Sequence, residues 1–154
     1  MQETKQYLSE TVKSLLMEGH SVELSAFGQS MIPFLRPGQK VKLTPVDISL
    51  IVKGDLVAFQ KQDYLVIHRV HHILRENEMV HLITKGDSNL NPDEPVGKDT
   101  YLAKVSMIYH GNKWIKLSPT SILSRTVLLF GRFYSLPFWL WKHFESKLRG
   151  KSRF

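Results

Sequence analysis

Hydrophobic and polar positions follow two different periods along this chain. Leu8, Val12, Leu15 and Leu16 recur at helical spacing, and Gly19 is placed to end the helix they predict. From Val22 the period falls to two. Val22-Glu23-Leu24-Ser25-Ala26-Phe27 alternates as a half-buried strand, and Val41–Leu43, Leu56–Gln60, Tyr64–Ile73, Met79–Thr84 and Tyr101–Tyr109 are rich in β-branched and aromatic residues. Pro33, Pro37-Gly38, Gly54-Asp55 and Gln62-Asp63 punctuate the segments between them. Many short strands with polar turns predict a mainly β, antiparallel domain, a coiled or barrel-like set of sheets with a short N-terminal helix. The strand pattern ends near Trp114–Leu117. From Ser121 the helical period returns: Leu123, Val127, Phe130, Tyr134, Phe138 and Trp141 share one stripe, opposite Arg125 and Arg132. The expected division is an amphipathic helix over 1–20, a β-domain over 21–118 and a C-terminal amphipathic helical tail over 119–154.

Charge sharpens that division. The 154 residues carry a net charge of +7, yet residues 1–110 hold twelve Lys/Arg against thirteen acids. From Gly111 onward there are nine Lys/Arg and a single acid, Glu145. A near-neutral body is not expected to bind nucleic acid. The first twenty residues include Glu3, Lys5, Glu10, Lys13 and Glu18, so no signal peptide or spanning anchor is expected there. In the tail the longest uncharged run, Phe133 to Trp141, is nine residues and contains Pro137, far short of the roughly twenty that span a bilayer. Aromatic rings on a helix with a basic end (Lys147, Arg149, Lys151, Arg153) suit a membrane interface, so peripheral membrane contact is the expectation. A cytoplasmic location, with the tail packed on the β-domain or in a dimer contact, is the alternative.

Three segments could meet in one catalytic site. Gly28-Gln29-Ser30-Met31-Ile32-Pro33 offers a hydroxyl on a constrained turn, with Gly28 permitting a tight path and Pro33 stiffening the chain behind the hydroxyl. Val66-Ile67-His68-Arg69-Val70 offers an imidazole among apolar neighbours that keep it neutral and able to accept a proton, with Arg69 on the opposite face. The loop Gly86–Gly97 supplies carboxylates at Asp87 and Asp93, although Asp, Asn and Pro at such density also suit a plain turn. A serine needs a base to become a nucleophile at neutral pH, and the base needs a third group to hold its tautomer. Rival histidines are His20, His71, His72, His81, His110 and His143. His68 and His72 are spaced to share a strand face, but no His-Glu-x-x-His helix and no cysteine accompanies them, so no metal site and no cofactor is expected.

Taken together, the Ser-Met-x-Pro box, Gly54-Asp55-Leu56-Val57, Val66-Ile67-His68-Arg69-Val70 and Thr84-Lys85-Gly86-Asp87-Ser88-Asn89 with Asp93 resemble the type I signal peptidases. The similarity covers about Val22 to Tyr109 and is greatest to the archaeal and endoplasmic-reticulum branch, where histidine replaces the usual lysine base. It implies a signal-peptidase-like coiled β-domain in which Ser30 is the nucleophile, His68 the general base and Asp93 the carboxylate that orients it. It also implies that Met31 helps form the pocket at the cleavage site and that Asp87 supports its loop. Two positions depart from the pattern. Gly38-Gln39 stands where the family has Gly-Asp, and Gly28 stands where many members have a hydroxyl residue that assists the oxyanion. One oxyanion donor would be the Ser30 N–H; the second is not assigned.

The function so implied is a serine endopeptidase that removes a leader or signal segment from a precursor polypeptide lying as an added strand. A non-catalytic peptide-binding module of the same fold is the alternative. The Gly28-x-Ser30-Met31 box is also similar to that of the self-cleaving SOS repressors, which raises a self-processing regulator, but those proteins use lysine where this chain has His68.

Overall fold

The computed structural model describes residues 2–77 and 79–117, without the side chains of 2–6 and 8. The expected C-terminal helix over 119–154 lies outside the described residues. Helix α1 (Gln2–Met17) leads into strands β1 (Val22–Ser25), β2 (Lys40–Thr44), β3 (Leu56–Lys61), β4 (Tyr64–Glu76), β5 (Met79–Lys85), β6 (Tyr101–His110) and β7 (Lys113–Lys116). The strands form one antiparallel sheet in the order β1-β2-β6-β3-β4-β5, with β7 added to β6. The expectation of a mainly antiparallel β protein with one short N-terminal helix is met.

Gly19 ends α1 as its position suggested. At φ +87° it adopts the left-handed conformation, its N–H donates to Leu16 O and the His20 N–H donates to Leu15 O. That pair of bonds is a Schellman motif, which satisfies the last helical carbonyls. The buried face of the helix is narrower than the apolar periodicity indicated. Val12 and Leu16 are buried and Ser9 lies between sheet and helix with them, whereas Leu15 is exposed. Burying Val12 and Leu16 contributes about 1.5–3 kcal/mol each to docking the helix on the sheet.

Strand β3 shows why the sheet has two buried faces. Leu56 and Ala58 join one apolar cluster with Val12, Leu16, Met31, Val41 and Val105. The intervening Val57 and Phe59 join a second with Ile48, Ile51, Val70, Leu82 and Val96. Successive side chains of a strand point to opposite faces, so a central strand covered on both sides is apolar throughout. Register shifts interrupt β2/β6 between Lys42 and Leu43, β3/β6 between Ala58 and Phe59, and β4/β5 between Val70 and His72. Such bulges increase local twist.

Several details differ from the sequence expectation. Strand β1 stops at Ser25, two residues early, because the Ala26 N–H and carbonyl turn to Gln39 and Gly38 in the following loop. Strand β4 runs three residues beyond Ile73, β7 is an additional strand, and a 3-10 turn spans Ile48–Leu50. His71 occupies the β4 bulge, so the simple alternation that would put His68 and His72 on one strand face is interrupted there. Burial pushes the His71 imidazole down to about 4, helped by the charges of Lys85, Arg69, His72 and Lys53.

Candidate functional site

Strand β4 is the axis of the site, because its two halves have different neighbours. Residues 64–69 pair with β3, and pairing with β5 begins only at Arg69. Among the described residues the outer edge of Tyr64–His68 therefore has no strand partner. Strand β1 pairs, among the described residues, only with β2 and leaves its own outer edge open. A cleft of about 620 Å³ is lined by residues of both open edges, with Val12 of α1, Met31 and Leu35 adding apolar walls.

Ser30, His68 and Asp93 meet on this cleft. Asp93 Oδ2 lies 2.5 Å from His68 Nδ1, and Ser30 Oγ lies 3.0 Å from His68 Nε2. An ionised carboxylate only accepts, so Nδ1 carries the proton and donates to Asp93, leaving Nε2 to accept from the Ser30 hydroxyl. His68 is buried, with the Phe59 ring edge-on at 6.0 Å between centroids. Asp93 is fixed from several sides. Its N–H donates to Thr84 O, its Oδ2 accepts from Thr84 Oγ1 at 2.9 Å, and its Oδ1 accepts from Lys61 Nζ at 3.2 Å. Burial pushes the Asp93 carboxyl up, but the hydrogen bond and charge of His68, with the bonds from Thr84 and Lys61, outweigh it and hold the group below its ordinary value.

The Ser30 turn is buttressed by the loop after β5. The Ser88 N–H donates to Ser30 O at 2.9 Å, and Ser88 Oγ donates to Gln29 O at 2.8 Å. Gly86 packs directly on Ser30: a Cβ there would lie 2.7 Å from Ser30 O and 2.9 Å from Ser30 Cβ. Only a residue without a side chain fits. Among the described residues the Ser30 N–H has no hydrogen-bond acceptor, which leaves it free to face an oxyanion. Gly28 also lines the cleft and holds φ +90°, a conformation that side-chain-bearing residues rarely adopt. The turn as built thus disfavours a hydroxyl residue at that position. Met31 is buried in the core and lines the cleft; Pro33 follows a cis Ile32–Pro33 peptide in the same turn.

Asp87 plays a different part from Asp93. It is fully buried and forms a two-pronged ion pair with Arg69, whose Nε and Nη2 donate at 2.9 and 2.8 Å. Arg69 Nη1 also donates to Gly54 O at 3.1 Å, and the guanidinium lies 4.4 Å from the Phe34 ring centroid. The face opposite His68 is therefore occupied by a buried cation that anchors the loop carrying Ser88. Gln39 is away from the cleft, where its Nε2 donates to Tyr109 O and its Oε1 accepts from the Arg36 N–H.

Sequence reasoning missed Lys61, Thr84, Gly86 and Ser88 as parts of the site. The last three lie inside the Thr84–Asn89 box, and the Gly86-Asp87-Ser88 run was the available signal. Lys61 carried none. Among the described residues no cluster of three His, Asp or Glu side chains could hold a metal ion. Compared with known proteins, the chain matches no family model and no curated sequence.

Proposed function

We propose that this chain is a serine endopeptidase of the signal-peptidase type, cutting a leader or signal segment from a precursor polypeptide. The observation that carries the reading is the continuous hydrogen-bonded path Ser30–His68–Asp93 opening on a cleft between two unpaired strand edges. A peptide laid in that cleft gains backbone hydrogen bonds as an added strand, while the apolar walls take its side chains.

The chemistry follows from the geometry. Ser30 Oγ attacks the scissile carbonyl as its proton passes to His68 Nε2, and Asp93 stabilises the imidazolium so formed. The Ser30 N–H stabilises the oxyanion as one donor. His68 returns the proton to the leaving amine, and a water activated by the same imidazole releases the acyl group from Ser30. Each partner is within hydrogen-bond reach in the free protein, so substrate need only displace water and not reassemble the triad.

The test is covalent. A fluorophosphonate probe should label the wild-type protein on Ser30, and neither Ser30→Ala nor His68→Gln should be labelled. A wild type that stays unlabelled while binding extended peptides would replace this reading with the peptide-binding module.

The basic, aromatic segment 119–154 is proposed as an interfacial anchor that places the enzyme peripherally on a membrane near its precursor. This rests on its sequence alone. Among the described residues no helix is long and apolar enough to cross a membrane.

A further inference from the structure

Asp93 divides its two oxygens between different duties. Oδ2 serves His68 and Thr84, whereas Oδ1 has Lys61 as its partner among the described residues. We propose that Lys61 is a positioning residue of the triad, one that locks the Asp93 carboxylate and limits how firmly it holds the proton arriving on His68. The proposal rests on the peptidase reading for its consequence in catalysis, but the contact itself is independent of that reading.

The pair is not an ordinary surface ion pair. Exposed pairs contribute little because both charges stay solvated. Here the Lys61 side chain is half exposed, but the Asp93 side chain is only 8 % exposed, so one partner depends on the other for its solvation. Lys61 is the last residue of β3, opposite Tyr64 in the register, and the turn that follows has Gln62 at φ +53°. The end of the strand thus brings the ammonium to the cleft. The groups facing Asp93 are His68 from β4 and Lys61 from β3, which are titratable, and Thr84 from β5, which is neutral.

Two effects follow. Thr84 and His68 on one oxygen would still let the carboxylate rock about their shared bond; a donor on the second oxygen removes that freedom. A cation beside the carboxylate also weakens its attraction for the imidazolium, which eases return of the proton to the leaving amine. Because Lys61 lines the cleft, a seated peptide strips water from it and strengthens the pair at the moment of reaction.

The test compares Lys61→Met and Lys61→Arg with wild type by two measurements. The first is the NMR titration of the Asp93 carboxyl carbon, which needs no substrate. The expected result is a raised midpoint in Lys61→Met and one near wild type in Lys61→Arg. The second is the pH dependence of fluorophosphonate labelling. Lys61→Met should label about tenfold more slowly at neutral pH, well short of the roughly 10⁴-fold cost of replacing a triad carboxylate, and Lys61→Arg should recover most of the rate. An Asp93 midpoint that does not move in Lys61→Met overturns the proposal. So does an equal loss of labelling in both variants with the midpoint unmoved, which would mark a merely structural lysine. Absence of labelling in the wild type would strike the peptidase reading, while the Asp93 titration still decides the role of Lys61.

Discussion

Asp87→Ala is the substitution whose cost the structure fixes most directly. It removes the partner of an arginine whose side chain is 1 % exposed, and with it two charge-assisted hydrogen bonds. What remains to the guanidinium is the Gly54 carbonyl at 3.1 Å and the Phe34 ring. Neither is an anion. Leaving a buried charge uncompensated costs about 3–5 kcal/mol, whereas replacing both partners by apolar residues of similar volume is often close to neutral. Asp87→Ala should therefore be far more damaging than the double variant Arg69→Met/Asp87→Leu. For a domain with a urea slope of about 2 kcal/mol per M, a loss of about 4 kcal/mol lowers the unfolding midpoint by about 2 M. Since total stability is only about 5–15 kcal/mol, Asp87→Ala should lose from about a quarter to most of it. Urea unfolding followed by tryptophan fluorescence, run as a double-mutant cycle, measures the coupling. A midpoint within about 0.5 M of wild type for Asp87→Ala would refute the reasoning, because solvent or another group would then be satisfying Arg69.

If Ser30 is the nucleophile as we propose, Gly86→Ala should slow its fluorophosphonate labelling by more than tenfold at temperatures where the variant is folded, because the new Cβ meets Ser30 backbone at 2.7 Å and displaces the Ser30 turn. For His71 the folded protein favours the neutral ring, with its pKa pushed down to about 4, while the unfolded chain takes up a proton near the ordinary value of 6.5. Stability associated with His71 is thus complete above about pH 6.5 and lost as pH falls toward 4, by about 1–2 kcal/mol after allowing for solvent at a half-buried site. His71→Leu should flatten that part of the pH–stability curve, as read by urea midpoints at pH 7, 5.5 and 4.5. Deleting residues 121–154 should abolish co-sedimentation with anionic vesicles, which in the full chain should weaken with added salt and be absent with neutral lipid.

The sequence made faces visible but not partners. Alternation in Val22–Ala26 and the apolar run around Val66–Val70 located strands, and the residues Ser30, His68 and Asp93 proposed from three separate segments lie within hydrogen-bond reach of one another. Periodicity could place Arg69 on the face opposite His68, yet it could not reveal that Asp87 waits there, since the two come from different elements. Lys61 ends a strand beside a turn, where lysines are ordinarily solvated, and only the fold brings its ammonium to Asp93. The His71 bulge was hidden for a related reason: an extra residue in one strand leaves the local composition unchanged and alters only the count against its neighbour. Strand β7 is four residues with a single half-buried side chain, Trp114, enough for the strand pattern to be followed to Trp114–Leu117 but too little to separate β7 from β6.

The change of neighbours along β4 also works as an end-stop. His68 is the last residue before β5 takes over that edge, so a peptide extending along Tyr64–His68 would run out of free backbone at the His68 imidazole. A substrate seated as we propose would have its register fixed by where the protein's own sheet closes, in steps of two residues on one face, before any side chain is compared with a pocket. Such a ruler tolerates varied side chains but not a proline at a hydrogen-bonded position of the docked strand, since proline has no N–H to give. The position of the cut would then be a property of backbone length as much as of composition.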